Sequence, residues 1–368
     1  MKNLRSSLSN FVYVGLFCLA FVFITINSSS FALGIKEGLK ICFNVVIPGL
    51  FVFMVFCLFA SKLGAIDRLN DAFYPITKWI VGPNKNLGGA IFLSLMGGYP
   101  IGAKILSQMV ENKEISAKLC KRLLPYFINA GPSFLISVIG LLIFNDIRVG
   151  VFLYISQIIS SIILIRLSLS RDFSVCDSYA DNYIKKTTKD NVFISFTSSV
   201  YETVLAIINL SGYIILFSAI IFVIKSKGIT SKVLLSLLEV TSGIIEFQSS
   251  NSSNLYAILF LISFGGLCVI FQAISFFKTI RIDFFRLTFF KIIHGIATAL
   301  VGRILLIFIK LDVKPSSFLV DSLHLNIILY ILFILSCAIL IFVLSKKDKE
   351  KMKYSSKNNS NFWFFLLK

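Results

Sequence analysis

Residues 94–108 read SLMGGYPIGAKILSQ. It lies in an apolar region, yet Gly97, Gly98, Tyr99 and Pro100 interrupt it, and Gly102 and Lys104 follow closely. In hydrocarbon every backbone N–H and C=O needs a partner, so a broken helix survives only where it is buried in protein or lines a wet cavity. Gly allows close backbone approach, and Pro begins a new half-helix whose first N–H groups are free. Those groups and the helix dipole suit an anion, to which Lys104, one turn after Pro100, adds a full charge. The plainer reading makes the break a packing kink and turns Lys104 to the surface.

The whole chain fits a membrane setting. Of its 368 residues 57% are hydrophobic, and the mean hydropathy is +0.87, well beyond the balance of a soluble domain. The formal net charge is +18, but Lys and Arg lie in short links between apolar segments, a pattern of membrane topology rather than of nucleic-acid binding. The seven cysteines are scattered, without a CxxC pair or a neighbouring His cluster, so no metal, disulfide or cofactor is expected. The basic, apolar start lacks a convincing A-x-A cleavage site and reads as an uncleaved first helix. No Ser-His-Asp or Cys-His arrangement, GxxxxGK[ST] or HExxH occurs, so an enzyme is not expected.

The expected fold is all-α and polytopic, with eight crossings at 11–28, 39–61, 123–144, 149–168, 202–224, 254–275, 291–309 and 323–345. Two further apolar stretches, 87–110 and 233–247, are broken in the middle. Basic residues flank the first on both sides (Lys62, Arg68, Lys78 and Lys85 before; Lys113, Lys118, Lys121 and Arg122 after), so both ends face the cytoplasm and the stretch is a re-entrant hairpin. With Lys2 and Arg5 inside, 233–247 enters from the opposite face, and both termini are cytoplasmic. The chain then divides into an N-terminal helix (1–38), a first repeat (39–168), a polar cytoplasmic loop (169–192), a second, inverted repeat (193–290), C-terminal crossings (291–345) and a basic tail (346–368).

Each repeat runs crossing, hairpin, broken crossing. MGGYPIGAK answers EVTSGIIE in the hairpins, and FINAGPSF answers SFGGLCVI in the crossings. Paired interruptions in oppositely oriented halves point to a transporter site near the bilayer midplane. The candidate binding residues are Gly98, Tyr99, Pro100 and Lys104, then Asn129, Gly131 and Ser133, and from the second half Glu239, Thr241, Ser242, Gly265 and Gly266. A carboxylate at membrane depth costs at least ~2.5 kcal/mol, which makes Glu239 a proton or cation candidate. Glu246 sits at the hairpin exit beside polar QSSNSSN, Gln272 adds an amide, and His294 is a proton carrier or an interfacial structural residue.

In that order, GGYPIGAK, RLLPYFINAGPSF, LLEVTSGI, SFGGLCVIFQ and HGIATAL resemble the YlbJ-type sporulation integral membrane proteins (the SpoVV family) of endospore-forming bacteria, within the nucleoside-recognition or Gate-domain superfamily. The resemblance covers about residues 40–345. It implies a fold similar to that of concentrative nucleoside transporters and a role in moving dipicolinic acid, a small planar dianion, across the outer forespore membrane. Two half-helix N-termini and Lys104 would suit its two carboxylates. The expected partners are thus a small-molecule anion and the lipid bilayer, with no nucleic acid. The alternatives are a nucleoside or nucleobase carrier, for which Lys104 is dispensable, and a non-transporting structural protein of spore maturation.

Overall fold

The computed structural model describes residues 2–63, 65–82, 87–169, 191–249 and 255–309. Most of the expected loop 169–192, the crossing 323–345 and the tail lie outside them. The described residues are nearly all helical and contain no strand. Among the described residues five helical stretches are long and apolar enough to cross a bilayer: Ser28–Lys62, Ile147–Leu169, Val192–Ser226, Leu255–Ser275 and Phe284–Phe308. The chain is therefore an all-α protein whose apolar helices fit a multi-pass membrane setting.

Helix α1 (Lys2–Ile26) carries exposed apolar side chains such as Tyr13, Phe17 and Phe21. Helices α2 (Ser28–Ile41) and α3 (Ile47–Lys62) join through a π-helical turn, Cys42–Val46, into one rod. This rod packs antiparallel along α9 (Val192–Ser226). Gly34 and Gly38 make the approach possible, because a methyl group at either would meet the Cα of Ala219 or Ile215 at 2.6 and 2.8 Å. Small residues at such contacts let backbones approach and gain dispersion where no hydrophobic force exists between helices.

The basic link after α3 holds an amphipathic helix, α4 (Ala65–Val81), which packs on α5 (Gly88–Gly97) and α8 (Ile147–Leu169). From α4, Asn70 Oδ1 accepts the Gly89 N–H at 2.6 Å, satisfying an orphan donor of the α5 N-terminus. Next come α6 (Tyr99–Glu111), α7 (Ala117–Phe127) and a π-helical segment, Ser133–Ile143. Beyond α9 lie α10 (Lys232–Leu238), α11 (Val240–Ser249), α12 (Leu255–Phe264), α13 (Gly266–Ser275) and α14 (Phe284–Phe308).

Contacts across the breaks separate two kinds of interruption. At Gly98 the chain folds back, since a methyl group on Gly102 would lie 3.3 Å from Ser94 Cβ. At Glu239 it folds back too, with the Gly243 methyl position 2.6 Å from Ser236 Cα. At the breaks 128–132 and 265 the flanking helices pack mainly on other elements. The expected start of the seventh crossing at Lys291 is corrected: Asp283 Oδ1 accepts the Arg286 N–H at 3.1 Å and caps α14 two turns earlier. Lys291 is thereby carried into the packed interior.

Candidate functional site

The four breaks come together. Gly98 (φ +82°, ψ −175°) adopts a backbone closed to L side chains and packs against Gly131, where an added methyl group would sit 3.1 Å from Gly98 N. The second half repeats this pairing: a methyl group on Gly266 (φ +75°) would lie 3.1 Å from the Leu238 carbonyl and 3.3 Å from Val240 N, beside the break at Glu239. Tyr99 joins the halves, its hydroxyl donating to the Ile262 carbonyl at 2.6 Å. That carbonyl lies in the last turn of α12, where the break removes its helical partner.

Between them lies a narrow cleft, partly open to the outside. Tyr99, Gly131, Glu239, Thr241, Cys268 and Val269 line it from the break regions, and Leu50, Phe134, Leu210 and Ile214 close it with apolar surface. Of the candidates read from sequence, Tyr99, Gly131, Glu239 and Thr241 thus line one cleft. Gly98, Gly265 and Gly266 set the backbone around it, and Pro100 is buried in the first turn of α6.

Glu239 is buried at 1% exposure in extended backbone (φ −141°, ψ 119°), and its carboxylate accepts the N–H groups of Thr241 at 2.8 Å and Ser242 at 2.6 Å. The α11 N-terminus therefore already holds an anion, supplied by the chain itself. Ser242 enters through its backbone, and Ser133 donates its hydroxyl to the Gly49 carbonyl. The Glu246 side chain lies outside the described residues.

Lys104 departs from its expected role. It does not line the cleft but pairs with Glu202 of α9 at 2.5 Å, and Glu202 also binds Lys62 at 2.6 Å. Lys62 donates onward to Ser198 Oγ at 2.7 Å. The reason is reach: Lys104 lies beyond the first turn of α6 and meets a partly exposed carboxylate on α9.

Asn129 is fully buried but binds protein on both sides. Its Nδ2 donates to the Tyr126 carbonyl at 2.6 Å, and its Oδ1 accepts from Gln157 Nε2 at 2.9 Å and Ser161 Oγ at 3.2 Å. Sequence reading missed Gln157, Ser160 and Ser161, although their spacing puts all three on one face of apolar α8, a detectable signal. Ser161 meets His294 Nε2 at 3.0 Å, and Thr298 joins Ser160 and Ser263, each at 2.7 Å. Gln272, one turn beyond Cys268 on α13, is buried with neither amide atom hydrogen-bonded among the described residues. No group of three or more His, Cys, Asp or Glu side chains is placed to hold a metal among the described residues. No protein-family model, curated protein or solved structure matches the chain.

Proposed function

We propose that the chain is a membrane transporter working by alternating access around the cleft where its four helix breaks meet. That convergence carries the reading: interrupted backbone at membrane depth is costly unless it lines a cavity, and here two folded-back pairs and two broken helices share one. In this reading α5–α6 and α10–α11 are re-entrant hairpins in inverted repeats. Eight crossings, with both termini in the cytoplasm, give the architecture expected from the resemblance to concentrative nucleoside transporters. Each hairpin packs its break on the broken crossing that follows, which supports the repeat.

The proposed cargo is dipicolinate, crossing the outer forespore membrane, as the motif resemblance implies. Glu239 sets a condition on it. A dianion approaching the α11 N-terminus meets a carboxylate, so its charge must be met from the Tyr99–Gly131 side or with Glu239 protonated. The same carboxylate, the engagement of Lys104 by Glu202, and the neutral groups of Thr241 and Gln272 favour a second reading, an uncharged nucleoside or nucleobase.

Purified protein in liposomes loaded with Tb³⁺ tests both, because dipicolinate sensitises the luminescence of this ion. Saturable signal growth, abolished by Gly98→Leu, is the expected result. If dipicolinate enters no faster than into protein-free vesicles while labelled uridine accumulates, the cargo is a nucleoside. Accumulation of neither defeats the transport reading.

A further inference from the structure

The end of α7 concentrates carbonyl groups with no helical partner. Helix α7 stops at Phe127, so its last carbonyls and that of Ile128 need other donors. Asn129 takes the Tyr126 carbonyl, and a methyl group on Gly102 would press into the Phe127 carbonyl, so α6 covers that one closely. The Ile128 carbonyl accepts from Lys291 Nζ at 2.7 Å. His294, one turn on, lies toward the Pro125 carbonyl through Nδ1 without a well-formed hydrogen bond, and its Nε2 faces Ser161. Two bases on one face of α14, both fully buried, thus sit on the negative end of a broken helix.

Among the described residues their surroundings contain no Asp or Glu. The helices packed against α14 are α7, α8, α12 and α13, and none of them carries Asp or Glu. The titratable side chain turned to the pair from α7 is Tyr126, whose ring meets the His294 ring edge-on at 5.8 Å. Helices α8 and α12 present Ser160, Ser161, Gln157 and Ser263, all neutral, and α13 brings only the thiol of Cys268. The remaining basic groups sit elsewhere on these helices: Lys118, Lys121 and Arg122 in the first half of α7, and Arg148 and Arg166 toward the ends of α8. On α14 itself, Arg286 is in the first turn and Arg303 lies beyond Thr298. An ammonium in such a place has only carbonyl dipoles to stabilise it, and a second positive charge beside it is strongly disfavoured.

We propose that Lys291 and His294, with the carbonyl end of α7, form a binding site for a single exchangeable proton. Its occupancy sets the geometry of residues 128–132 and so of the cleft at Gly131. With the proton bound, Lys291 holds the Ile128 carbonyl as a charged donor and the break is clamped. Without it the clamp weakens to a neutral contact, and the His294–Ser161–Asn129 chain readjusts on the other side of the same break. Transport would then be coupled to protons through α14 and not through Glu239. This rests on the transport reading for its physiological meaning but not for its test.

Cys268 lines the cleft and reports on it without any cargo. Its labelling by a small thiol reagent is followed by mass spectrometry of the full chain in detergent, between about pH 6 and pH 8.5. Because labelling rises with the thiolate fraction in every chain, rates are compared at each pH: wild type should pass from the level of Lys291→Arg in acid to that of Lys291→Met in alkali, while the ratio of the two variants stays constant. The two should differ by roughly fivefold or more, the usual size of coupling between sites. Gel filtration checks assembly, and if the Arg variant fails it the comparison of wild type with Lys291→Met suffices. Coincident profiles for those two chains would overturn the proposal, whatever the liposomes do. If the profiles differ and no cargo accumulates, the proton site stands and the transport reading falls. If dipicolinate accumulates, an acid exterior should speed it in wild type and leave Lys291→Met unchanged.

Discussion

Glu239 caps α11 with both of its oxygens, so its substitutions separate charge from shape. Glu239→Gln keeps one acceptor and turns an N–H toward a backbone donor, which should cost about 1–2 kcal/mol, while Glu239→Leu leaves both donors bare and costs more. Thermal unfolding in detergent reads the order, wild type above Gln above Leu; equal melting of all three would mean that the cap contributes nothing. Tyr99→Phe deprives the Ile262 carbonyl of its donor at about 1 kcal/mol, a typical size for a hydrogen bond between membrane helices. Lys104→Ala should leave cargo transport near wild type, because Lys62 still neutralises Glu202. A loss of uptake with unchanged melting would return Lys104 to the site. Gly98, Gly131 and Glu239 were legible in the sequence because a glycine that loosens a helix, or a carboxylate that resists leaving water, is costly inside an apolar run. The partner of Lys104 was not, because a charge pair between α6 and α9 leaves no local pattern. Lys291 was hidden by its neighbours, since FFRLTFFK reads as a basic flank until Asp283 is seen to start the helix.

Among the elements, the breaks do two jobs that Gly and Pro alone do not distinguish; the charges flanking 87–110 are what marked it as a hairpin in the sequence. Gly and Pro announced that α5–α6 and the 117–143 pair were interrupted, but whether the chain doubles back depends on contacts such as Ser94 with Gly102. The second fold-back also sits earlier than the glycine suggests: the turn is at Glu239, and Gly243 lies in α11, where it gives room to Ser236. Helix α4 escaped notice because its charges read as a link. The π-helical Ser133–Ile143 leaves no sequence signature, yet it begins immediately after the Gly131 break and widens the backbone beside the cleft-lining Phe134. Tight helix contacts give the sharpest prediction at this scale. Gly34→Leu must part α2 from α9 at backbone contact, whereas Gly212→Leu on α9 faces open space. The first should cost ~3 kcal/mol or more and the second almost nothing, measured as the shift in melting temperature. Similar shifts for both would mean that the α2–α9 seam is not a tight one.

At the scale of the molecule, the distribution of charge and the helix pairing bear on the same topology. Arg148, exposed at the start of α8, pairs with the half-buried Asp146 just ahead of that helix, and its hydrogen bonds hold the Asp146 carboxyl below its ordinary range, so it stays ionised in acid as a water-facing link should. The proposed topology puts this link outside and Lys62 inside. A cysteine placed at Asn145 should therefore react with an impermeant thiol reagent in intact cells, and one at Ser61 only after lysis. The reverse pattern would invert the whole arrangement.

The paired rods of α2–α3 and α9 each run 35 residues. That is about 52 Å of helix against a hydrocarbon layer of roughly 30 Å. Lys36, Glu37 and Lys40 stand exposed near one end, with the Lys40–Glu37 pair at 3.2 Å, and such charges resist entry into lipid. At the other end the partly exposed Lys62 and Glu202 neutralise each other, so the charged stop lies at Lys36, Glu37 and Lys40. A thin bilayer can leave more of that end in water, but a thick one pulls three charged groups into oil. In liposomes of long-chain phosphatidylcholine, uptake should fall severalfold below that in short-chain lipid, and Lys36→Leu/Glu37→Leu/Lys40→Leu should remove most of the difference. In the transport reading the membrane is then bounded in thickness from above, by three side chains that lie away from the cleft.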